Sequence, residues 1–384
     1  MCKKETKWIP EKIFSFAKSD NEVIKSLALF ARHNPQPLFR IDTNGIIYSS
    51  NPALENLLAQ ASLAGQNLLE LLPELRQFNL EEIVAHDQVK EVLISLKGNF
   101  YNLLLKGVRT INTINIYGND ITKIKLAEKK IHSQAEDIKK SIRYAWTIQK
   151  AMLSNETFIK KILPSHFIMY RPRNVVSGDF YWIKKIEDSI VIAIADCTGH
   201  GVPGAFMSML GVAFLNEIVK PRNLKANEIL NQLRDYVIRT LSNSTDSRAD
   251  GMDMALCIIQ PEKKTIQYAG ANNPFILIND SGLKEIKADR MPVGKYIKQD
   301  KPFTLHEIPY SNKDCVYLFS DGFRDQLGGP DLLKYGSKNF KKLLVQIHNK
   351  KFNEQRQILN DEFLKWSENY HQIDDILVMG FKLP

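Results

Sequence analysis

The chain has 384 residues, enough for two or three domains with cores of their own. Its balance of 44% hydrophobic and 25% charged residues excludes disordered, collagen-like and disulfide-stapled classes. The 52 Lys and Arg exceed the 43 Asp and Glu by a net charge of +9, but they are spread out and show no helix-turn-helix or finger spacing, so the positive field is expected to meet an anionic substrate and not a nucleic acid.

Residues 1–21 read as a tail, because MCKKETKWIPEK is basic but has no apolar stretch or cleavage site of a secretory signal. No uninterrupted apolar run approaches the ~18 residues of a membrane span. The cysteines Cys2, Cys197, Cys257 and Cys315 make no C-x-x-C pair. A cytoplasmic protein with reduced thiols is expected.

From residue 22 to 122, short apolar runs alternate with turn signals. In FRIDTNGIIYSS, Asn44-Gly45 lies between two strand-like stretches and predicts a tight hairpin. NPALENLLAQASLAGQNLLELL reads as helical, and FYNLLLKGVRTI and TINIYGNDIT read as strands, an order of strand, strand, helix, strand. This order and the exit segment YGNDITKIKLAEKK resemble a PAS sensor domain. No flavin-attaching cysteine or haem ligand stands out, so the ligand or signal stays open, and the domain serves either sensing or dimerisation alone.

Residues 123–157 read as a helical linker. Ile124, Ile131, Ile138, Ala145 and Met152 recur every seven residues, and no Gly or Pro interrupts them. The companion positions Ala127, Gln134, Ser141 and Ile148 include two polar residues. The pattern fits either a weak, switchable coiled coil joining two chains or an amphipathic helix packed on its own domain.

From residue 158 to 384, strands alternate with helices and aspartates stand at strand ends. In VVSGDFYWIKKIEDSIVIAIADCTGHGVPGAF, a turn at Glu187-Asp188 puts Asp179 opposite Asp196, with Cβ atoms about 5 Å apart. Facing like charges call for a cation between them. Asp321 closes an apolar run in VYLFSDGF, and Asp374 and Asp375 open one in QIDDILVMGF. Aspartates without His or Cys select hard ions, Mg²⁺ or Mn²⁺, over zinc. The glycines after Asp196 allow close backbone approach to a metal or phosphate before a helix whose N-terminus favours an anion.

The motifs IQKAML, VSGDFYW, ADCTGHGVPGAFMS, DGMDMALC, YAGANNP, FSDGF and DDILV, in this order from about residue 145 to the end, strongly resemble the SpoIIE/RsbU branch of the PPM family, metal-dependent serine/threonine phosphatases of the type 2C kind. The resemblance implies an α+β fold, an αββα sandwich of two antiparallel sheets with two Mn²⁺ or Mg²⁺ ions at one end. It implies metal ligands at Asp179, Asp196, Asp321, Asp374 and the main-chain carbonyl of Cys197, with Asp253 as a candidate for a third ion. His200 is either a general acid or a loop-stabilising residue, and Gly199, Gly201 and Arg173, with Arg171 beside it, are candidates for phosphate binding. Leu377 stands where the family usually has Thr or Ser. The implied reaction is hydrolysis of phosphoserine or phosphothreonine by a metal-activated water. The implied partner is a STAS-domain anti-sigma-factor antagonist, and the implied assembly is a homodimer through the PAS-like domain and linker. A non-catalytic signalling adaptor and a two-metal hydrolase of another phosphoester are the alternatives.

Overall fold

The computed structural model describes residues 20–60, 62–221, 225–241, 250–297, 300–368 and 370–384. The expected tail up to residue 19, with Cys2, lies outside the described residues. The chain divides into two units with the boundary between Glu136 and Asp137.

The first unit begins with α1 (Asp20–Arg32). The strands β1 (Leu38–Ile41) and β2 (Ile47–Ser50) follow, then the short helices α2 (Pro52–Leu58), α3 (Leu68–Leu71) and α4 (Leu80–Ala85). The strands β3 (Val89–Leu96), β4 (Asn99–Val108) and β5 (Thr113–Asp120) complete it. The five strands form an antiparallel sheet in the order β2-β1-β5-β4-β3. Alternation along β4 buries Tyr101, Leu103 and Leu105 in one core with Leu54, Leu68, Leu75 and Ile83 from the helical passage. The strand β3 is additional to the order read from the sequence. The β1-β2 connection is also looser than a two-residue hairpin: the Asp42 carboxylate accepts the N–H groups of Asn44 and Ile46, and Gly45 takes φ of +85°.

Helix α5 (Thr122–Met152) runs across the unit boundary and leaves Ile124, Ile131 and Ile138 exposed. It stops short of the expected linker end at residue 157. Asn155 caps a separate helix, α6 (Glu156–Ile162), by accepting the N–H of Thr157.

The second unit has two antiparallel sheets. One contains β7 (Phe180–Ile186), β8 (Ser189–Cys197), β9 (Gly251–Gln260), β10 (Thr265–Ala271) and β14 (His306–Pro309), in the order β14-β10-β9-β8-β7, with β13 (Val293–Gly294) paired to β9. The other contains β6 (His166–Arg171), β11 (Phe275–Asn279), β12 (Gly282–Ile286), β15 (Cys315–Phe319) and β18 (Ile376–Lys382), in the order β12-β11-β15-β18-β6. Their facing sides share one core, in which Ile192, Ile194, Ala255 and Cys257 meet Leu277, Val316, Leu318 and Met379. Helices α7 (Gly201–Ile218) and α8 (Ala226–Leu241) cover the outer face of the first sheet. After the short α9 (Gly322–Asp325) and the two-residue strands β16 (Leu327–Gly328) and β17 (Leu333–Lys334), helices α10 (Ser337–Ile347) and α11 (Phe352–Trp366) cover the second. The layering is helix, sheet, sheet, helix.

Helix α7 is long and apolar enough to cross a membrane by length and composition. Glycines and polar residues interrupt it, so it contains no long unbroken apolar run. Here Gly204, Ala205, Met207, Ser208, Gly211, Val212 and Leu215 are buried. The three described cysteines, Cys197, Cys257 and Cys315, are free and buried.

Candidate metal centre

The β7-β8 ladder pairs Ile186 with Ser189 and Phe180 with Ala195, so the predicted register is the observed one, and Asp179 lies one step past the ladder on Asp196's level. On its other side β8 pairs with β9, and Asp196 faces Asp253 directly. That second juxtaposition joins residues 57 positions apart, and no local signal in the sequence reports it. Asp321 follows β15 and Asp374 precedes β18, neighbouring antiparallel strands, so both reach the same sheet end.

Asp196, Cys197, Thr198, Gly199, His200, Asp253, Asp321 and Asp374 line one cavity of about 350 Å³. Asp179 lies buried beside it and accepts a hydrogen bond from the Ser320 hydroxyl at 2.6 Å. Burial pushes the carboxyls of Asp179 and Asp196 well above the usual carboxylate range, and the charges of their neighbouring aspartates push them further. Asp253 and Asp374 are raised too, by burial first. An Asn272 amide bonded to Asp253 at 2.8 Å and the Asp375 N–H bonded to Asp374 work in the opposite direction. Such a ring of mutually repelling carboxylates is an unfavourable arrangement unless a cation neutralises it. Among the described residues no three His, Cys, Asp or Glu groups are drawn into a closed metal-holding cluster. An open cavity rimmed by oxygens suits a hard divalent ion that keeps several waters, and the donor set fits Mg²⁺ or Mn²⁺ on that ground.

Two further residues fix the loop that carries Asp179. The buried Asp375 carboxylate accepts the N–H of Arg173 with one oxygen and that of Gly178 with the other, each at 2.7 Å. Gly178 is required at this point: a Cβ there would lie 2.7 Å from the carbonyl oxygen of Gly199, and one on Gly204 would collide with the same oxygen. The loop after Asp196 is thus pressed onto glycine backbone on both sides. At its turn Gly199 has φ of +84° and Gly201 +66°.

His200 is exposed on the cavity rim, precedes α7 and has Nδ1 3.2 Å from Asn174 Oδ1. Gly201 and Arg173 are not among the lining residues. Arg171 is held elsewhere, with Nε on Gln372, a second nitrogen on Asn360 and its guanidinium over the Phe363 ring. Leu377 is fully buried in the inter-sheet core. Its N–H is accepted by the Ser320 hydroxyl at 3.0 Å, so an apolar side chain there leaves the hydrogen bonding of the strand end intact.

Gln149, inside the sequence IQKAML near the end of α5, is buried. Its amide donates to Ser177 O at 2.6 Å and Ser208 Oγ at 2.8 Å, and its carbonyl accepts the Ser177 N–H at 3.2 Å. Ser177 in turn accepts the N–H of Asp179 on its hydroxyl. The partners of Gln149 lie 28 and 59 residues away in the chain, so nothing local in the sequence marks it. Gln149→Leu is expected to strip these partners and to cost about 2 kcal/mol or more in urea unfolding, with turnover falling because the Asp179 loop loses its support.

The chain matches the family described as Stage II sporulation protein E (SpoIIE) over residues 186–384, about half its length. The chain belongs to the SpoIIE family. It is 26% identical over 191 residues to the phosphoserine phosphatase RsbU of Bacillus subtilis, covering 49% of this chain and 54% of that one. The chain therefore spans about half the length of this curated relative. Among solved structures it is similar to the SiaA-PP2C domain of Pseudomonas aeruginosa, with 29% identity, a TM-score of 0.60, and coverage of 65% of this chain and 99% of that one. The SpoIIE/RsbU branch of the PPM family expected from the motifs is the branch found.

Proposed function

We propose that the chain is a signal-regulated, metal-dependent protein serine/threonine phosphatase. The observation that carries this reading is the convergence of Asp196, Asp253, Asp321 and Asp374 on one cavity, with Asp179 buried beside them. Asp179, Asp196, Asp321, Asp374 and the Cys197 carbonyl are the groups that would hold two Mg²⁺ or Mn²⁺ ions, and Asp253 is the candidate ligand for a third. When bound, such ions supply a lowered pKa for water near neutrality and neutralise phosphoryl oxygens.

The chain's own residues do the rest. In this reading the turn from Gly199 into the N-terminus of α7 is the element that meets the phosphate. His200, exposed at the rim with Nδ1 beside Asn174 Oδ1, serves in this reading either as the proton donor to the departing serine oxygen or as a residue that steadies the loop. The substrate we propose is a phosphoserine or phosphothreonine, in keeping with the similarity to the phosphoserine phosphatase RsbU, carried by a STAS-domain anti-sigma-factor antagonist as the motif resemblance implies. A substrate panel tests this: a phosphoserine peptide is expected to be hydrolysed, and a preference for nucleotides or phosphodiesters would overturn it.

We further propose that residues 22–122 form a PAS-like sensor, that α5 is the linker, and that a second copy of the chain covers the exposed Ile124, Ile131 and Ile138. Gln149 ties the end of that helix to the Asp179 loop, which gives the linker a handle on the site. Replacing both Gln134 and Ser141 by Leu is expected to tighten dimerisation about tenfold or more in sedimentation and to change basal turnover. Unchanged activity in a tighter dimer would sink the coupling.

A further inference from the structure

A second cavity in the 137–384 unit, about 1040 Å³, lies away from the aspartates and runs along β6. Among the described residues this strand is an edge of its sheet, paired with β18 alone. The bond from Lys382 N–H to Ser165 O sets the phase of that ladder, so the peptide groups of His166, Ile168 and Tyr170 turn outward, into the groove. Lys150, Lys160, Arg171 and Arg356 line the groove against one acid, Glu156. Lys150, Lys160 and Arg356 are exposed and form no ion pair among the described residues.

One end of the groove reaches the metal centre's supports. The Tyr170 hydroxyl donates to Asp179 O at 3.1 Å, and the Gln372 amide bridges Arg171 O and Asp374 O, each at 2.8 Å. An open strand edge offers main-chain hydrogen bonds to an extended segment, and side chains around it select what that segment carries. Here the selection is for negative charge.

We propose that the β6 groove binds an extended acidic segment of the phosphoprotein substrate as an added strand, leading its phosphoserine toward the aspartate cavity. The inference rests on the phosphatase reading and deepens it. With six residues in β6, a strand of about 20 Å is the length that can be paired.

The test uses the full chain and two labelled decapeptides, one alternating Glu and Val and one alternating Lys and Val, in fluorescence anisotropy. Turnover of p-nitrophenyl phosphate is followed in parallel. The Glu peptide is expected to bind and the Lys peptide not. The double variant Lys160→Glu/Arg356→Glu should weaken binding about tenfold or more while p-nitrophenyl phosphate turnover is unchanged. Ile168→Pro, which removes an outward N–H where an edge strand tolerates proline, should weaken it without reversing any charge. A phosphoserine peptide carrying a Glu-Val extension should show a lower KM than the same peptide with a Ser-Gly extension, an advantage lost in the double variant.

Equal binding of both peptides, or binding insensitive to the double variant, would overturn the groove and leave the lysines as guards against edge pairing. Failure of p-nitrophenyl phosphate turnover with acidic-peptide binding intact would instead overturn the phosphatase reading and, with it, the substrate role of the groove.

Discussion

Asp196→Asn is expected to abolish metal-stimulated hydrolysis of a phosphoserine peptide, a loss of about 10³-fold or more in kcat/KM, and to make the metal-free protein more stable at the same time. The two effects have one cause. Asp196 is held among Asp179, Asp321 and Asp374, and burial and these charges raise its carboxyl well above the usual carboxylate range. An amide of nearly the same shape keeps the packing and removes the repulsion, the usual exchange between stability and function at a charged site. The sign with pH follows from the direction of the shift. A group whose pKa is raised on folding stabilises the folded state fully below its unfolded pKa, and this contribution is lost as pH rises through the folded value. The metal-free wild type is thus expected to lose stability as pH rises above about 4, and Asp196→Asn to lose less. Thermal unfolding in EDTA at several pH values checks this. A variant equally or less stable than wild type at neutral pH would contradict the electrostatic account of the cavity.

The second large effect is expected at Asp375, with the opposite sign for stability. Asp375 is buried in the same neighbourhood, yet its two oxygens each accept a backbone N–H, from Arg173 and from Gly178. Asparagine offers one acceptor where two are needed and turns an N–H donor toward the other N–H. A lost charge-assisted bond and an unpaired buried donor together cost about 3 kcal/mol. Neutralising Asp375 also relieves Asp179 of a neighbouring charge, but that charge ranks behind burial in raising Asp179, so the lost hydrogen bonds decide the outcome. Turnover should fall about a hundredfold, because the Asp179 loop shifts and a misplacement near 1 Å costs that much. Urea unfolding and kcat/KM measured on one preparation check both parts. A variant with wild-type stability would show that the loop is held by other contacts.

The contrast between Asp374 and Asp375 shows what a sequence carries and what it hides. Adjacent residues at a strand end point to opposite faces, so one can line a cavity while the other clamps a loop. The doublet marks the place, and only the fold assigns the roles. The β7-β8 register was legible because it depends on a two-residue turn, and Glu187 takes the φ of +50° that such a turn needs. The pairing of Asp196 with Asp253 was not legible, since it depends on β9 arriving after two intervening helices. Strand β3 and the long-range bonds of Gln149 were missed for different reasons. The run VKEVLISL leaves apolar Val89 and Leu93 exposed along with Lys90, Glu91 and Ser95, so its alternation of apolar and polar residues is broken. A glutamine in a helix reads as surface until a partner is brought to it.

The measurement that bears most directly on the central claim is turnover of p-nitrophenyl phosphate and a phosphoserine peptide by the full chain in Mn²⁺, Mg²⁺ or EDTA, with metal binding followed by calorimetry and Asp321→Asn alongside. The account predicts divalent-ion binding and turnover in the wild type, no turnover in EDTA, and loss of both properties in the variant. Turnover that persists in EDTA, or divalent-ion binding unaffected by Asp321→Asn, would contradict it.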